Sequence, residues 1–124
     1  VVSRMIAVAV DCHDSELLTA FWSRALGRGT VRRWADPRGL HYVQLDGEGP
    51  GAAALLFQPV AEPRAGKNRL HLDIAPSDGE SQAGEVARLV ALGARVVADE
   101  PDLPWVVLAD PEGNTFCVLP PRTA

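Results

Sequence analysis

The segment Lys67-Asn68-Arg69-Leu70-His71-Leu72-Asp73-Ile74 alternates apolar with polar residues. Leu70, Leu72 and Ile74 fall on one side; Arg69, His71 and Asp73 fall on the other. A period of two predicts a half-buried strand. Its polar side carries a cation, an imidazole and a carboxylate. A solvated strand face is the plainer account of Arg69 and Asp73. A histidine between them is suited to ligate a metal or to move a proton.

The elements around this strand occur twice. Arg4–Asp11 reads as a strand built on the apolar run Met5–Val10. Asp14 is a good N-cap, Glu16 suits a positive first turn, and Leu17, Leu18, Phe21, Ala25 and Leu26 keep helical spacing up to Gly27. Three strands follow, Thr30–Ala35, Leu40–Leu45 and Ala52–Gln58, parted by turns at Asp36–Gly39 and Asp46–Gly51. Residues 59–68 read as a linker rich in proline and charge. The pattern then restarts with Arg69–Ala75. A helix capped by Ser77 or Asp78 runs to Leu92, with Ala83, Val86, Ala87, Leu89 and Val90 as its apolar face. Arg95–Ala98, Pro104–Ala109 and Thr115–Leu119 are the remaining strands, and Pro120–Ala124 is a tail.

Strand, helix and three strands, repeated, decide the fold class. One such unit is marginal alone, because a small domain buries too little surface. The prediction is an α+β fold in which two βαβββ modules form a pseudo-symmetric curved sheet with a central cleft. Residues 1–124 are one domain: module one is 1–58, the linker 59–68 and module two 69–124. The opening strands superpose at an offset of 64 residues, which sets His71 opposite Ala7 and Arg69 level with Met5. The end strands set Gln58 beside Cys117.

Composition narrows the function. The 124 residues are 47% hydrophobic, enough for a real core, and carry a net charge of −4. The basic residues are scattered and Arg32–Arg33 is the one tight pair, which argues against a nucleic-acid surface. Cys12 and Cys117 are expected to be reduced thiols. Apolar runs such as Ala52–Phe57 are too short to span a bilayer. The first residues lack the pattern of an export signal, so a cytoplasmic protein is expected.

Other motifs read as structural. Asp110-Pro111-Glu112-Gly113-Asn114 is a tight turn, without the alternating oxygen ligands of a calcium loop. The glycines at 47, 49 and 51 precede neither a helix nor a Lys-Ser/Thr pair, so they are no phosphate loop. His13 falls in a strand-to-helix turn and His41 on a strand. Trp34 and Trp105 lie on strands of different modules, where each offers flat apolar surface to a planar ligand or packs in the core.

Asp14 with Phe21-Trp22 and Leu26-Gly27, Arg69-Leu70-His71-Leu72-Asp73, Leu92-Gly93-Ala94 and Asp110-Pro111-Glu112-Gly113-Asn114 occur in order and at matching spacing. Together they resemble the vicinal oxygen chelate superfamily, also called the glyoxalase/bleomycin-resistance/dioxygenase superfamily. The small glyoxalase-like proteins are the subgroup most similar. The resemblance implies a divalent ion held by side chains from the opening and end strand of each module, acting as a Lewis acid. The matching positions here are Ala7, Gln58, His71 and Cys117. Ala7 has no donor, Gln58 is a weak one, and Cys117 replaces an expected carboxylate.

The expected function is therefore binding of a small organic molecule in the inter-module cleft without the usual divalent metal. His71, Gln58, Cys117, Ala7, Trp34, Trp105 and Arg69 are the candidate contacts. No cofactor is expected; a divalent metal, if one binds, would use His71 and Cys117. The alternative is a lyase, isomerase or dioxygenase-type enzyme with His71 as base or as ligand of a non-standard metal site. A homodimer is expected, by resemblance to the drug-binding members, with no nucleic-acid or membrane partner.

Overall fold

The computed structural model describes residues 2–122. Thr123 and Ala124, the end of the predicted tail, lie outside the described residues. The chain divides into two compact units, parting between Pro63 and Arg64. The first contains β1 (Ala7–Cys12), α1 (Ser15–Leu26), β2 (Val31–Ala35), β3 (His41–Leu45) and β4 (Ala54–Pro59). The second contains β5 (Asp73–Ile74), α2 (Gln82–Leu92), β6 (Arg95–Ala98), β7 (Val106–Ala109) and β8 (Thr115–Val118). Both are βαβββ modules, and the fold is α+β. The sheet orders match, β1-β4-β3-β2 and β5-β8-β7-β6, with the first pair parallel and the others antiparallel.

The first helix forms as its sequence dictates. The Asp14 side chain accepts a hydrogen bond from the Leu17 N–H at 3.0 Å, which satisfies one donor left free at the helix start. Gly27 ends the helix at φ 66°, a left-handed conformation that costs glycine nothing. Leu18, Phe21, Trp22 and Ala25 are buried, and α1 packs on β3 and β4. Leu17, at the same apolar spacing, is exposed.

The second helix starts later than its sequence predicts. Ser81, not Ser77 or Asp78, is the N-cap and accepts from the Gly84 N–H at 3.0 Å. Gly79 at φ 83° puts a turn where the helix was expected, closed by the Glu80 N–H on the Ser77 carbonyl. Its apolar face is also narrower than predicted. Leu89 is fully buried and Val86 half-buried, while Ala83, Ala87 and Val90 are exposed.

The opening strands are shorter than their alternation suggests. β1 begins at Ala7 because its parallel partner β4 begins at Ala54, so Met5 and Ile6 precede the ladder and are exposed. β5 is only two residues long. Cys117 and Leu119 donate backbone bonds to the Leu72 and Ile74 carbonyls. Continued toward Leu70, the evenly spaced parallel ladder would next use the Thr115 carbonyl. That carbonyl accepts from Asn68 Nδ2 instead, at 3.2 Å. Arg69 and Leu70 therefore form a bend, and Leu70 is 85% exposed rather than part of a core face.

Each sheet has one face in a core. Val43, Leu45, Leu55 and Phe57 fill that of the first unit; Val106, Leu108, Phe116 and Val118 fill that of the second, with Leu89 of α2. The opposite faces are less covered. They carry every candidate residue that lies on a strand.

Candidate binding site on the second sheet

Alternation along β8 sets the site. Phe116 and Val118 turn inward, so Thr115, Cys117 and Leu119 turn to the other face. Cys117 stands opposite Asp73 on β5 and opposite Val107 on β7. Directly paired residues share a face, which makes a row of Asp73, Cys117 and Val107. His71 precedes Asp73 by two residues and joins it on that side. A cavity of about 400 Å³ lies over this surface. Lys67, His71, Asp73 and Cys117 form its polar edge, and Trp105, Val107 and Leu119 its apolar lining.

Asp73 stands between the two reactive side chains. Its Oδ1 lies 3.0 Å from His71 Nδ1, with both side chains 49% exposed. The Cys117 thiol donates a hydrogen bond to the same carboxylate. Burial pushes the Cys117 thiol above its ordinary range, and the negative charge and hydrogen bond of Asp73 push it further. A thiol held protonated is a poor nucleophile, which argues against a Cys117–His71 nucleophile–base pair. His71 is placed differently. A carboxylate on Nδ1 holds one ring orientation and leaves Nε2 to accept a proton or meet a ligand.

The structure brings together His71, Cys117 and Trp105 from the candidate residues. Arg69 is exposed in the bend and does not line the cavity. Ala7, Gln58 and Trp34 belong to the first unit, on the less covered face of its sheet. There Asp11 pairs with Gln58, and Trp34 pairs with Tyr42 at a ring-centroid distance of 5.8 Å. The registers also correct the repeat. Phe57 and Phe116 are equivalent fully buried residues, so Gln58 matches Cys117 and their strand partners Asp11 and Asp73 match. His71 then corresponds to Ala9, not Ala7, and Ala7 corresponds to Arg69. Asp73 and Lys67 line the cavity without being among the candidates read from the sequence. Asp73 had a signal, its two-residue spacing from His71, but no partner without the strand register.

The donor set tests the metal that the fold implies. One ligand atom each from His71, Asp73 and Cys117 lies within 4.8 Å of the others. Hard octahedral ions select oxygen-rich sets, whereas thiolate selects zinc-like ions. One nitrogen, one oxygen and one sulfur do not suit a hard octahedral ion. In the first unit Ala9 and Ala7 offer no donor in place of His71.

The remaining motifs hold structure. Asp110 is buried, and its Oδ1 accepts from the Glu112 and Asn114 N–H groups at 2.9 and 3.0 Å, as a turn anchor does. His13 Nε2 lies 2.9 Å from the Glu62 carbonyl. Neither cysteine is in a disulfide among the described residues. No helix among the described residues is long and apolar enough to cross a membrane.

Two βαβββ modules, one carrying a ligand-sized cavity with a His-Asp-Cys edge, define a chain of the paired-module α+β class. The chain belongs to the glyoxalase-like domain family, whose model matches residues 7–119, and so to the vicinal oxygen chelate superfamily. Among curated proteins, none matches. Solved structures share the fold at low identity. A glyoxalase/bleomycin resistance protein/dioxygenase family enzyme from Burkholderia phytofirmans PsJN is 19% identical, with a TM-score of 0.67 over 94% of this chain and 97% of that one. The fosfomycin resistance protein FosX of Listeria monocytogenes, as an E126Q mutant complexed with Mn(II) and 1S,2S-dihydroxypropylphosphonic acid, is 13% identical. Its TM-score is 0.74, over 96% of this chain and 93% of that one. TnmS3, an antibiotic binding protein from Streptomyces sp. CB03234, is 19% identical, with a TM-score of 0.63 over 98% of both chains.

Proposed function

We propose that this protein binds a small organic molecule on the second sheet, in the cavity edged by His71, Asp73 and Cys117. The observation that carries the reading is the pairing of apolar lining with convergent polar groups in one cavity. Its volume of about 400 Å³ falls in the range of small-molecule sites. Trp105, Val107 and Leu119 suit a flat apolar body. Lys67 and the His71 imidazole suit an acidic or hydrogen-bonding end. The antibiotic-binding neighbour supports this reading. We place the protein in the cytoplasm as a homodimer.

A thermal-shift panel of aromatic antibiotics and small dicarbonyls, run on chelator-stripped protein, tests the proposal. A ligand at about 100 times its dissociation constant adds roughly 2.7 kcal/mol of stability. The expected result is a shift that Trp105→Ala reduces. A broad panel without one shift refutes a binding role.

The second reading is catalysis with His71 as general base, favoured by the 3.0 Å contact of its Nδ1 with Asp73. A substrate proton must then reach Nε2 within hydrogen-bond distance. Turnover of a bound dicarbonyl, lost in His71→Gln with binding retained, supports it; equal turnover in the variant removes it.

A further inference from the structure

We infer that His71, Asp73 and Cys117 form a three-ligand site for a thiophilic divalent cation, zinc in preference to manganese. The fold family implies a metal held across both modules, and the donors here disagree with that arrangement. All three come from the second unit. Asp73 and Cys117 are direct partners across the parallel β5–β8 pair, so the backbone register fixes their proximity. His71 precedes Asp73 by the two residues that return a side chain to the same face.

The geometry suits a small tetrahedral shell. Bonds of roughly 2.0–2.3 Å at tetrahedral angles put nitrogen, oxygen and sulfur donors about 3.3–3.6 Å apart. The three ligand atoms already lie within 4.8 Å of one another, and His71 Nδ1 and Asp73 Oδ1 are 3.0 Å apart. Rotation of the half-exposed His71 and Asp73 side chains adjusts these separations without moving the strands. Three protein ligands leave a fourth position toward the cavity, the arrangement of zinc sites that accept an exchangeable ligand. The sulfur sets the choice of ion. Manganese prefers carboxylate and water oxygens in an octahedral shell, and this cluster supplies one carboxylate. The thiol proton leaves to solvent as the thiolate takes the ion.

The inference stands independently of the organic occupant, because ion binding is read without one. Chelator-stripped protein is titrated with cobalt(II) and followed by its thiolate-to-metal charge-transfer absorption, then challenged with zinc(II) or manganese(II). The expected result is one cobalt per chain with the sulfur band, displaced by zinc and retained in equimolar manganese. Loss of an outer partner alone costs roughly 10–100-fold in affinity, so removing the ligand in Cys117→Ser should cost about 100-fold or more and abolish the band. Asp73→Asn keeps the band and weakens binding. Cys117→Asp, which restores an oxygen donor, shifts the preference toward manganese. A cobalt complex without the sulfur band, displacement by manganese as readily as by zinc, or undiminished binding in Cys117→Ser overturns the inference. Circular dichroism of each variant confirms the fold.

Discussion

Trp105→Ala should weaken binding of a flat aromatic anion while leaving the fold intact. Trp105 precedes β7, is 39% exposed and lines the cavity beside Val107. A tryptophan presents roughly 250 Å² of surface. Its free 39% is then about 100 Å² available to a ligand. At about 25 cal/mol per Å², full coverage contributes about 2.5 kcal/mol and half coverage about 1.2 kcal/mol. Since about 1.4 kcal/mol is tenfold, affinity should fall between about 8-fold and about 60-fold. Anilinonaphthalene sulfonate is a suitable probe, because its rings match Trp105 and its sulfonate matches Lys67. Fluorescence titration of wild type, Trp105→Ala and Trp34→Ala reads the effect, and urea unfolding reads stability. A loss under about 3-fold in Trp105→Ala, with a larger loss in Trp34→Ala, refutes the placement of the site on the second sheet, since it leaves most of the calculated coverage unaccounted for.

Phe116→Ala should cost about 3–5 kcal/mol in urea unfolding, because Phe116 is 1% exposed and its loss leaves a cavity. Asp110→Ala should cost about 1–3 kcal/mol by leaving the turn donors of Glu112 and Asn114 unpaired, with dye affinity unchanged. Cys117 should react slowly with iodoacetamide at neutral pH, since the thiol is held protonated by burial and then by Asp73. Asp73→Asn removes the charge and should speed alkylation, read by peptide mass spectrometry; an unchanged rate shows that burial alone sets the thiol. The sign for stability follows from the same elevation: a raised folded-state value contributes below the unfolded pKa of Cys117, and that contribution is lost as pH rises through the folded value.

The first helix was legible because its limits are local: Asp14 caps it and Gly27 ends it through their own side-chain and backbone chemistry. The start of the second is not local in this sense, since Ser77, Asp78 and Ser81 are equally good caps in isolation and Gly79 decides among them by its positive φ. Alternation in Lys67–Ile74 gave the facing of His71 and Asp73 but not the length of β5. Strand length depends on what the partner strand has free, and Asn68 already bonds the Thr115 carbonyl. The site was legible to the same depth. His71, Cys117 and Trp105 follow from the repeat and their residue types. Asp73 does not, because only the β5–β8 register sets it against Cys117, and the same register moves the counterpart of His71 from Ala7 to Ala9.

The corrected repeat shows where chemistry can vary at low cost in stability. The inward positions stay equivalent between modules: Phe57 and Phe116 both fill a core, and each pairs with a buried aliphatic residue, Val43 or Leu108. Of the outward positions one residue away, one is aspartate in both modules and its partner differs, Gln58 beside Asp11 in one and Cys117 beside Asp73 in the other. A change inward disturbs close packing, whereas a change outward alters groups that solvent or a ligand can compensate. Substitutions at His71, Asp73 and Cys117 should therefore leave a folded protein whose binding alone has changed. That separation is what allows the ion, dye and alkylation measurements to be read as statements about the site.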